Sequence, residues 1–128
     1  RAHGAGDDNG REPWYFGDNT VEIFRKFTKI RYRLLPHIIE QATAGAKLGL
    51  PLVRALVVEY PNDRNVWNIE SQYHFGSDIM VAPVLQPLED ANKQSIYMPE
   101  GTWYDFWNKK KFYAYLGQSW IYALLDQR

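Results

Sequence analysis

A change in hydrophobic pattern near residue 50 divides the 128-residue sequence into two kinds of chain. Before that point, apolar side chains recur every three to four positions, which is the period of an amphipathic helix. After it, short apolar and β-branched runs alternate with turn residues, a pattern typical of strands. The sequence therefore predicts an α+β fold, with one long helix followed by about five strands. The apolar face of the helix consists of Phe24, Phe27, Leu34, Leu35, Ile38, Ile39 and Ala42.

Local signals predict where this helix begins, bends and ends. Asn19 is the expected N-cap, and Glu22 stands three residues later as the partner in a capping box. Pro36 lacks a backbone N–H and clashes with the preceding turn, so it is predicted to kink the helix or divide it at Leu35. Pro51 is expected to stop the helix.

The second half of the sequence predicts a meander of short strands. Pro99–Gly101 is expected to form a tight turn that pairs the strands on either side of it as a hairpin. Lys109–Lys111 is expected to form a solvated hairpin tip. The predicted strands are Leu52–Val58, Ile79–Val84, Ser95–Met98, Thr102–Trp107 and residues 118–125.

Composition limits the classes of partner. Fifteen basic residues balance fifteen acidic ones, so there is no electrostatic reason to expect nucleic acid or an anionic membrane as a partner. No apolar run approaches the roughly 20 residues that a membrane span needs. The absence of cysteine excludes disulfides and thiolate metal sites, and it favours a reducing compartment such as the cytoplasm. No cofactor motif is present.

The titratable residues leave functional and structural interpretations open. His3 lies in a glycine-flanked loop, where it could bind a hydroxyl or act as a base, although spacing alone favours a surface histidine. His37 on the helix and His74 in a turn between strands are expected to be packing or surface residues. The three histidines lack metal-ligand spacing, so no metal site is predicted. The adjacent Asp7 and Asp8 could be an acid or metal pair, but loop acids are usually solvated.

Aromatic residues between Tyr97 and Trp107 also admit two interpretations. Such rings could stack on sugars, or they could form the hydrophobic core beneath a small sheet, which is the favoured interpretation. Burial separates the two: exposure of Trp103 and Trp107 on one face would support a non-catalytic β-sandwich module that binds carbohydrate or protein.

A series of motifs in fixed order resembles glycoside hydrolase family 31, the retaining α-glucosidases and α-xylosidases. The resemblance covers essentially the whole chain. The motifs are Arg1-Ala-His-Gly4 with Arg11-Glu-Pro-Trp14, Ile30-Arg-Tyr-Arg-Leu-Leu-Pro-His37, Pro51-Leu-Val-Arg54, Glu59-Tyr-Pro-Asn-Asp63, Gln72-Tyr-His-Phe-Gly-Ser-Asp78, Val81-Ala-Pro-Val84 and Tyr97-Met-Pro-Glu-Gly-Thr-Trp103.

The resemblance implies an architecture and a role for one residue. Residues 1–49 would be the C-terminal piece of a (β/α)₈ barrel, namely the end of its last strand and its last helix. Residues 50–128 would be most of an antiparallel β-sandwich domain packed beside the barrel. His3 corresponds to a family histidine that hydrogen-bonds hydroxyls of the sugar, and this favours substrate contact for His3.

The resemblance also implies that the catalytic groups are absent from these residues. Family members use one Asp as nucleophile and another as general acid/base, both in motifs upstream of the Arg1–Gly4 segment. None of Asp7, Asp8, Asp63, Asp78 or Asp105 matches either position, so we expect no catalytic residue here and no activity of the chain by itself. The implied substrate is an oligosaccharide or glycoside with terminal α-linked xylose or glucose, and Arg54-Ala-Leu56 leans towards xylose. The sequence is interpreted as a fragment whose apolar helix face would be exposed or buried against another copy, so we expect the isolated chain to aggregate or to self-associate as a homo-oligomer.

Overall fold

The computed structural model describes residue 10 and residues 12–85, 93–115 and 120–124. The chain divides into two compact units, Arg1–Glu40 and Gln41–Arg128. Helices in the first half and antiparallel sheets in the second confirm the predicted α+β class.

The first unit contains a 3₁₀ turn, Pro13–Phe16, followed by helix α1, Asp18–Arg33. The predicted capping box is wrong, because Gly17 takes the N-cap position and no side chain caps the helix. Gly17 has a φ of 92°, a conformation that favours glycine. The helix begins at Asp18, two residues earlier than an N-cap at Asn19 would place it. Glu22 pairs instead with Arg25 on the helix surface.

Pro36 divides the helical segment as predicted. Helix α1 ends at Arg33, and helix α2, Leu35–Leu48, begins with Pro36 in its first turn, where a missing N–H costs little. The end of α2 is set by Gly49, whose φ is 71°. The amide of Leu50 then donates to the carbonyl of Gly45 at 2.9 Å, the bond of a Schellman cap.

The second unit contains a three-stranded antiparallel sheet in the order β1-β2-β3, with β1 Val53–Ala55, β2 Tyr73–Phe75 and β3 Ile79–Val81. The predicted strand Leu52–Val58 is therefore too long. After Ala55 the chain forms a one-turn helix α3, Leu56–Glu59, which buries Leu56 completely and leaves the two following valines exposed. The helical turn also brings the Glu59 carboxylate back to Arg54 on β1.

The remaining strands pair differently from the prediction. Strand β4, Lys93–Tyr97, pairs with β7, Trp120–Leu124, while β5, Gly101–Tyr104, pairs with β6, Lys111–Ala114. The predicted hairpin across Pro99–Gly101 is thus wrong, whereas the predicted last strand and the turn around Lys109 are confirmed. Asp105 explains the β5–β6 pairing, because its carboxylate accepts hydrogen bonds from the amides of Trp107 and Asn108 and closes a local turn.

A small core lies in the second unit. Leu56, Val66 and Tyr97 are at most 2% exposed, and partly buried side chains surround them. Helix α1 differs, since none of its residues is buried. Burial of apolar surface is the main favourable term in the free energy of folding. Among the described residues, the apolar packing that stabilises the fold is therefore concentrated in the second unit. The surrounding side chains are Tyr60, Ile69 and Met80.

Candidate functional site

The residue expected to contact sugar lies outside the described part of the structure. His3 falls there, as do Asp7 and Asp8. The role of His3 therefore stays a prediction. Within the described ranges, no group of three or more acidic or histidine side chains is arranged to hold a metal ion. No helix in that part of the chain has the length and apolarity to cross a membrane.

Three of the aspartates compared with the catalytic positions, Asp63, Asp78 and Asp105, lie within the described residues and accept hydrogen bonds. Asp63 is 9% exposed and accepts hydrogen bonds from the backbone and side-chain amides of Asn65 at 3.0 and 2.9 Å. Asp78 is exposed and accepts from the Ser77 hydroxyl at 2.6 Å. With the turn formed by Asp105, these contacts give all three aspartates structural roles, and the expectation that none is catalytic stays a prediction.

Asp63 belongs to a buried network that centres on Tyr97. The Tyr97 hydroxyl donates to Asp63 Oδ2 at 2.6 Å. The Gln72 side chain donates to the Tyr97 carbonyl and accepts from the Tyr97 amide, both at 2.8 Å. Burial and the hydrogen bond to Asp63 raise the pKa of Tyr97, because both favour the neutral phenol. The network fixes β4 against the connection that precedes β2.

Sequence reasoning missed Gln72 in this network. Its only signal was membership of the motif Gln72–Asp78, since glutamine is mostly a surface residue. At 3% exposure, a glutamine amide needs partners for both its donor and its acceptor atoms, and Tyr97 supplies a main-chain partner for each.

His74 occupies the centre of the three-stranded sheet, so its assignment to a turn was wrong. Strand β2 alternates half-buried, buried and half-buried residues, and His74 is the buried one at 0% exposure. Its Cα partners are Arg54 on β1 and Met80 on β3. Its ring lies against those of Tyr60 and Trp103, with centroids 5.5 and 6.1 Å away. The sequence period of two in Tyr73-His74-Phe75 could have indicated this inward position.

A charge pair of the buried Arg54 and the partly buried Glu59 lies beside His74. The Arg54 Nε and Glu59 Oε1 atoms are 2.9 Å apart, and Arg54 is only 7% exposed. The Arg54 Nε–H is not directed at an acceptor among the described residues, so its contact with Glu59 is an ion pair without a well-formed hydrogen bond. Burial lowers the pKa of His74, and this effect exceeds the opposing effect of the Glu59 charge.

The aromatic cluster gives a divided result. Trp103 is half-buried and donates its indole N–H to the Pro99 carbonyl at 2.8 Å. Tyr104 and Trp107 are 62% and 61% exposed, and the Lys111 ammonium lies 4.7 Å from the centroid of the Tyr113 ring. The cluster therefore contributes to packing through Tyr97 and Trp103 and to the surface through Tyr104 and Trp107.

Two family models match this chain. One is described as the glycosyl hydrolase family 31 C-terminal domain and matches residues 49–127, which is more than half of the chain. The other is described as the glycosyl hydrolases family 31 TIM-barrel domain and matches residues 1–41. The two matches confirm the predicted fold class of a barrel portion followed by a β-domain, while the exact boundary between residues 49 and 50 stays a prediction.

Individual proteins agree with the family models. An isomaltosyltransferase of Sporosarcina globispora is 40% identical over 108 residues, covering 80% of this chain and 10% of the enzyme. The alpha-xylosidase XylQ of Lactiplantibacillus pentosus is 37% identical over 123 residues, covering 95% of this chain and 16% of the enzyme. A family 31 dextranase of Flavobacterium johnsoniae, solved as a D412A mutant with isomaltotriose, matches with a TM-score of 0.81 and 37% identity, covering 92% of this chain and 14% of that structure. The chain thus spans 10–16% of the length of these proteins.

Proposed function

The chain belongs to glycoside hydrolase family 31, and from this membership we propose that it is part of a retaining α-glycosidase. The substrate would be an oligosaccharide or glycoside, from which the whole enzyme removes terminal α-linked xylose or glucose. The observation that carries the proposal is the match of both halves of the chain, in order, to the barrel and C-terminal domains of the family. An alpha-xylosidase and a dextranase among the similar proteins support this substrate class.

In this proposal, residues 50–128 act as scaffold. The Tyr97 network, which includes Asp63, and the ion pair of Arg54 with Glu59 hold the β-domain together. The nucleophile and the general acid/base would come from other parts of the enzyme. A retaining glycosidase needs two carboxyl groups roughly 5–5.5 Å apart on either side of the scissile bond.

His3 is proposed to contribute the substrate contact of this chain. A histidine that hydrogen-bonds sugar hydroxyls would orient the ring against the nucleophile, and loss of one such bond reduces binding in both the ground and transition states. We expect His3→Ala in the whole enzyme to lower kcat/KM on the order of 10- to 100-fold. The matched control is His37→Gln on α2, which should retain the wild-type value.

Hydrolysis of aryl α-xylosides and aryl α-glucosides tests the proposal with two proteins, the 128-residue chain and the whole enzyme. The whole enzyme should hydrolyse at least one substrate, and the ratio of the two kcat/KM values identifies the preferred sugar. The chain alone should be inactive. Robust hydrolysis by the chain would contradict the absence of catalytic groups, and inactivity of the whole enzyme on both substrates would contradict the proposed reaction.

The exposed rings support a second candidate, a non-catalytic carbohydrate-binding module. Tyr104 and Trp107 present more than half of their surface to solvent, as sugar-stacking residues do. Calorimetric titration of the chain with isomaltotriose and xylose tests this candidate. Sugar binding by the wild-type chain that is lost in Trp107→Ala would favour the carbohydrate-binding module. No sugar binding by the wild-type chain would leave these rings with a structural role only.

A further inference from the structure

His74 combines complete burial with a lack of hydrogen-bond partners. Its side chain has no exposed surface, and neither Nδ1 nor Nε2 has a hydrogen-bond partner among the described residues. The backbone of Gly76 and Ser77 lies close enough to favour the charged form, but at a geometry short of a hydrogen bond. A buried polar group without a partner is costly, and a charged one is far more so.

Charged groups approach His74 from two of the elements packed against it. Strand β1 places Arg54, a cation, directly opposite on the sheet. Helix α3 and the residue after it contribute the Glu59 carboxylate and the Tyr60 ring. Strands β3 and β5 contribute Met80 and Trp103, which carry no charge. Glu59 is thus the one acidic side chain in this set, and it is already paired with Arg54.

We propose that His74 is a pH-sensitive switch in the packing of the second unit, in which uptake of a proton draws Glu59 away from Arg54 and loosens helix α3 from the sheet. Neutral His74 is compatible with the observed arrangement, since Glu59 then balances Arg54 alone. Protonated His74 would place a second cation beside Arg54 with one carboxylate shared between them. Either cation left unpaired in this buried position destabilises the folded state.

The direction of the pH dependence follows from linkage. An unfolded histidine takes up its proton near pH 6.5, whereas burial lowers the pKa of His74 in the folded chain. Below about pH 6.5 the unfolded chain therefore binds more protons than the folded chain, and stability decreases as the pH decreases. The stabilisation is fully present above that pH and is lost progressively down to the folded-state pKa.

Urea unfolding of the 128-residue chain at pH 7.5 and pH 5.5 tests the switch, with His74→Met as the principal variant. Met fills a similar volume and packs well against aromatic rings. The wild-type midpoint should fall by on the order of 0.5–1 M urea for each pH unit below about 6.5, at typical denaturant slopes. His74→Met should lose most of this decrease, whereas the control His37→Gln should retain it. An equal decrease in wild type and His74→Met would overturn the proposal.

Two further measurements keep the proposal testable if His74→Met fails to fold. In the folded wild-type chain, the ring resonances of His74 should keep their neutral positions through the pH range in which the urea-unfolded chain titrates. A full titration of His74 near pH 6.5 in the folded chain would overturn the proposal. Glu59→Gln removes the carboxylate that favours the charged imidazole. The urea midpoint of this variant should therefore fall more steeply on acidification than that of the wild type. An unchanged decrease would exclude the proposed movement of Glu59 from Arg54 towards His74.

Discussion

The two units of this chain reach their secondary structure by different routes. Helix α1 has clear local signals, including its apolar period, but it buries none of its residues, and Phe24 is 48% exposed. The second unit has short strands of three to five residues, yet Leu56, Val66 and Tyr97 are almost fully buried. Periodicity alone therefore says little about where stabilising contacts form, because an isolated helix in water is marginal without tertiary packing.

The largest expected effect is a cavity in the second unit. Leu56→Ala removes a side chain with no exposed surface and should destabilise the chain by about 2–5 kcal/mol. Phe24→Ala on α1 removes a larger but half-exposed side chain and should cost much less. Urea unfolding followed by tryptophan fluorescence measures both. Comparable losses would mean that α1 is as tightly packed as the core, which would break the contrast between the units.

The next effect concerns the buried tyrosine. Tyr97→Phe leaves the Asp63 carboxylate without the donor that lies 2.6 Å away and should cost about 1–3 kcal/mol at neutral pH. The raised pKa of Tyr97 also predicts an alkaline response. The unfolded chain loses phenol protons near pH 10 while folded Tyr97 keeps its own, so stability is fully present below pH 10 and falls above it.

Unfolding midpoints at pH 8 and pH 10.5 check this response. Tyr97→Phe should show a smaller alkaline decrease than wild type. Tyr60→Phe is a useful control, because burial and the nearby Glu59 charge also raise the pKa of Tyr60. The Tyr60 carbonyl accepts from the Asp63 amide, whereas its hydroxyl makes no described hydrogen bond to Asp63. Identical alkaline decreases in wild type and in both variants would refute the linkage.

Backbone conformation offers a smaller effect that compares the units directly. Gly17 and Gly49 both have positive φ, 92° and 71°, and a Cβ at either position would meet open space. Alanine at either site should therefore cost on the order of 1 kcal/mol through backbone strain alone. Gly49→Ala should lower global stability, whereas Gly17→Ala should mainly increase hydrogen exchange at the start of α1. If Gly17→Ala lowered global stability and Gly49→Ala had only a local effect, the part of the chain that unfolds cooperatively would lie in the first half.

The sequence allowed prediction of those features that depend on local chemistry. The break at Pro36 follows from a missing N–H, and the last strand follows from its apolar composition. The partner of each strand was not predictable in the same way. The tight turn at Pro99–Gly101 indicated a hairpin, but the contacts of Asp105 close a competing turn, and strand pairing depends on such non-local alternatives.

The candidate site was predictable only at the level of family. Motifs in order identified the family and its scaffold, while the local sequence around His74 resembles a turn and gives only a weak indication of its burial. Tertiary burial changes the chemistry of a residue without changing its neighbours in sequence. The strand Tyr73–Phe75 is short enough that its period of two gives a weak signal. His3 shows the converse, because the expectation that it contacts sugar rests on resemblance alone and the residue lies outside the described part of the structure.

The smallest expected effect contrasts two ion pairs, one in each unit. Glu22 and Arg25 pair on the surface of α1, where both side chains are more than half exposed, and such pairs stabilise by about 0.2–0.5 kcal/mol. Glu22→Gln should therefore change the unfolding midpoint very little, and high salt should remove the difference. Arg54 pairs with Glu59 in a buried position, and salt should screen that pair much less. A decrease in the unfolding midpoint of Glu22→Gln that high salt does not remove would show that the Glu22–Arg25 pair is shielded from solvent, as the Arg54–Glu59 pair is.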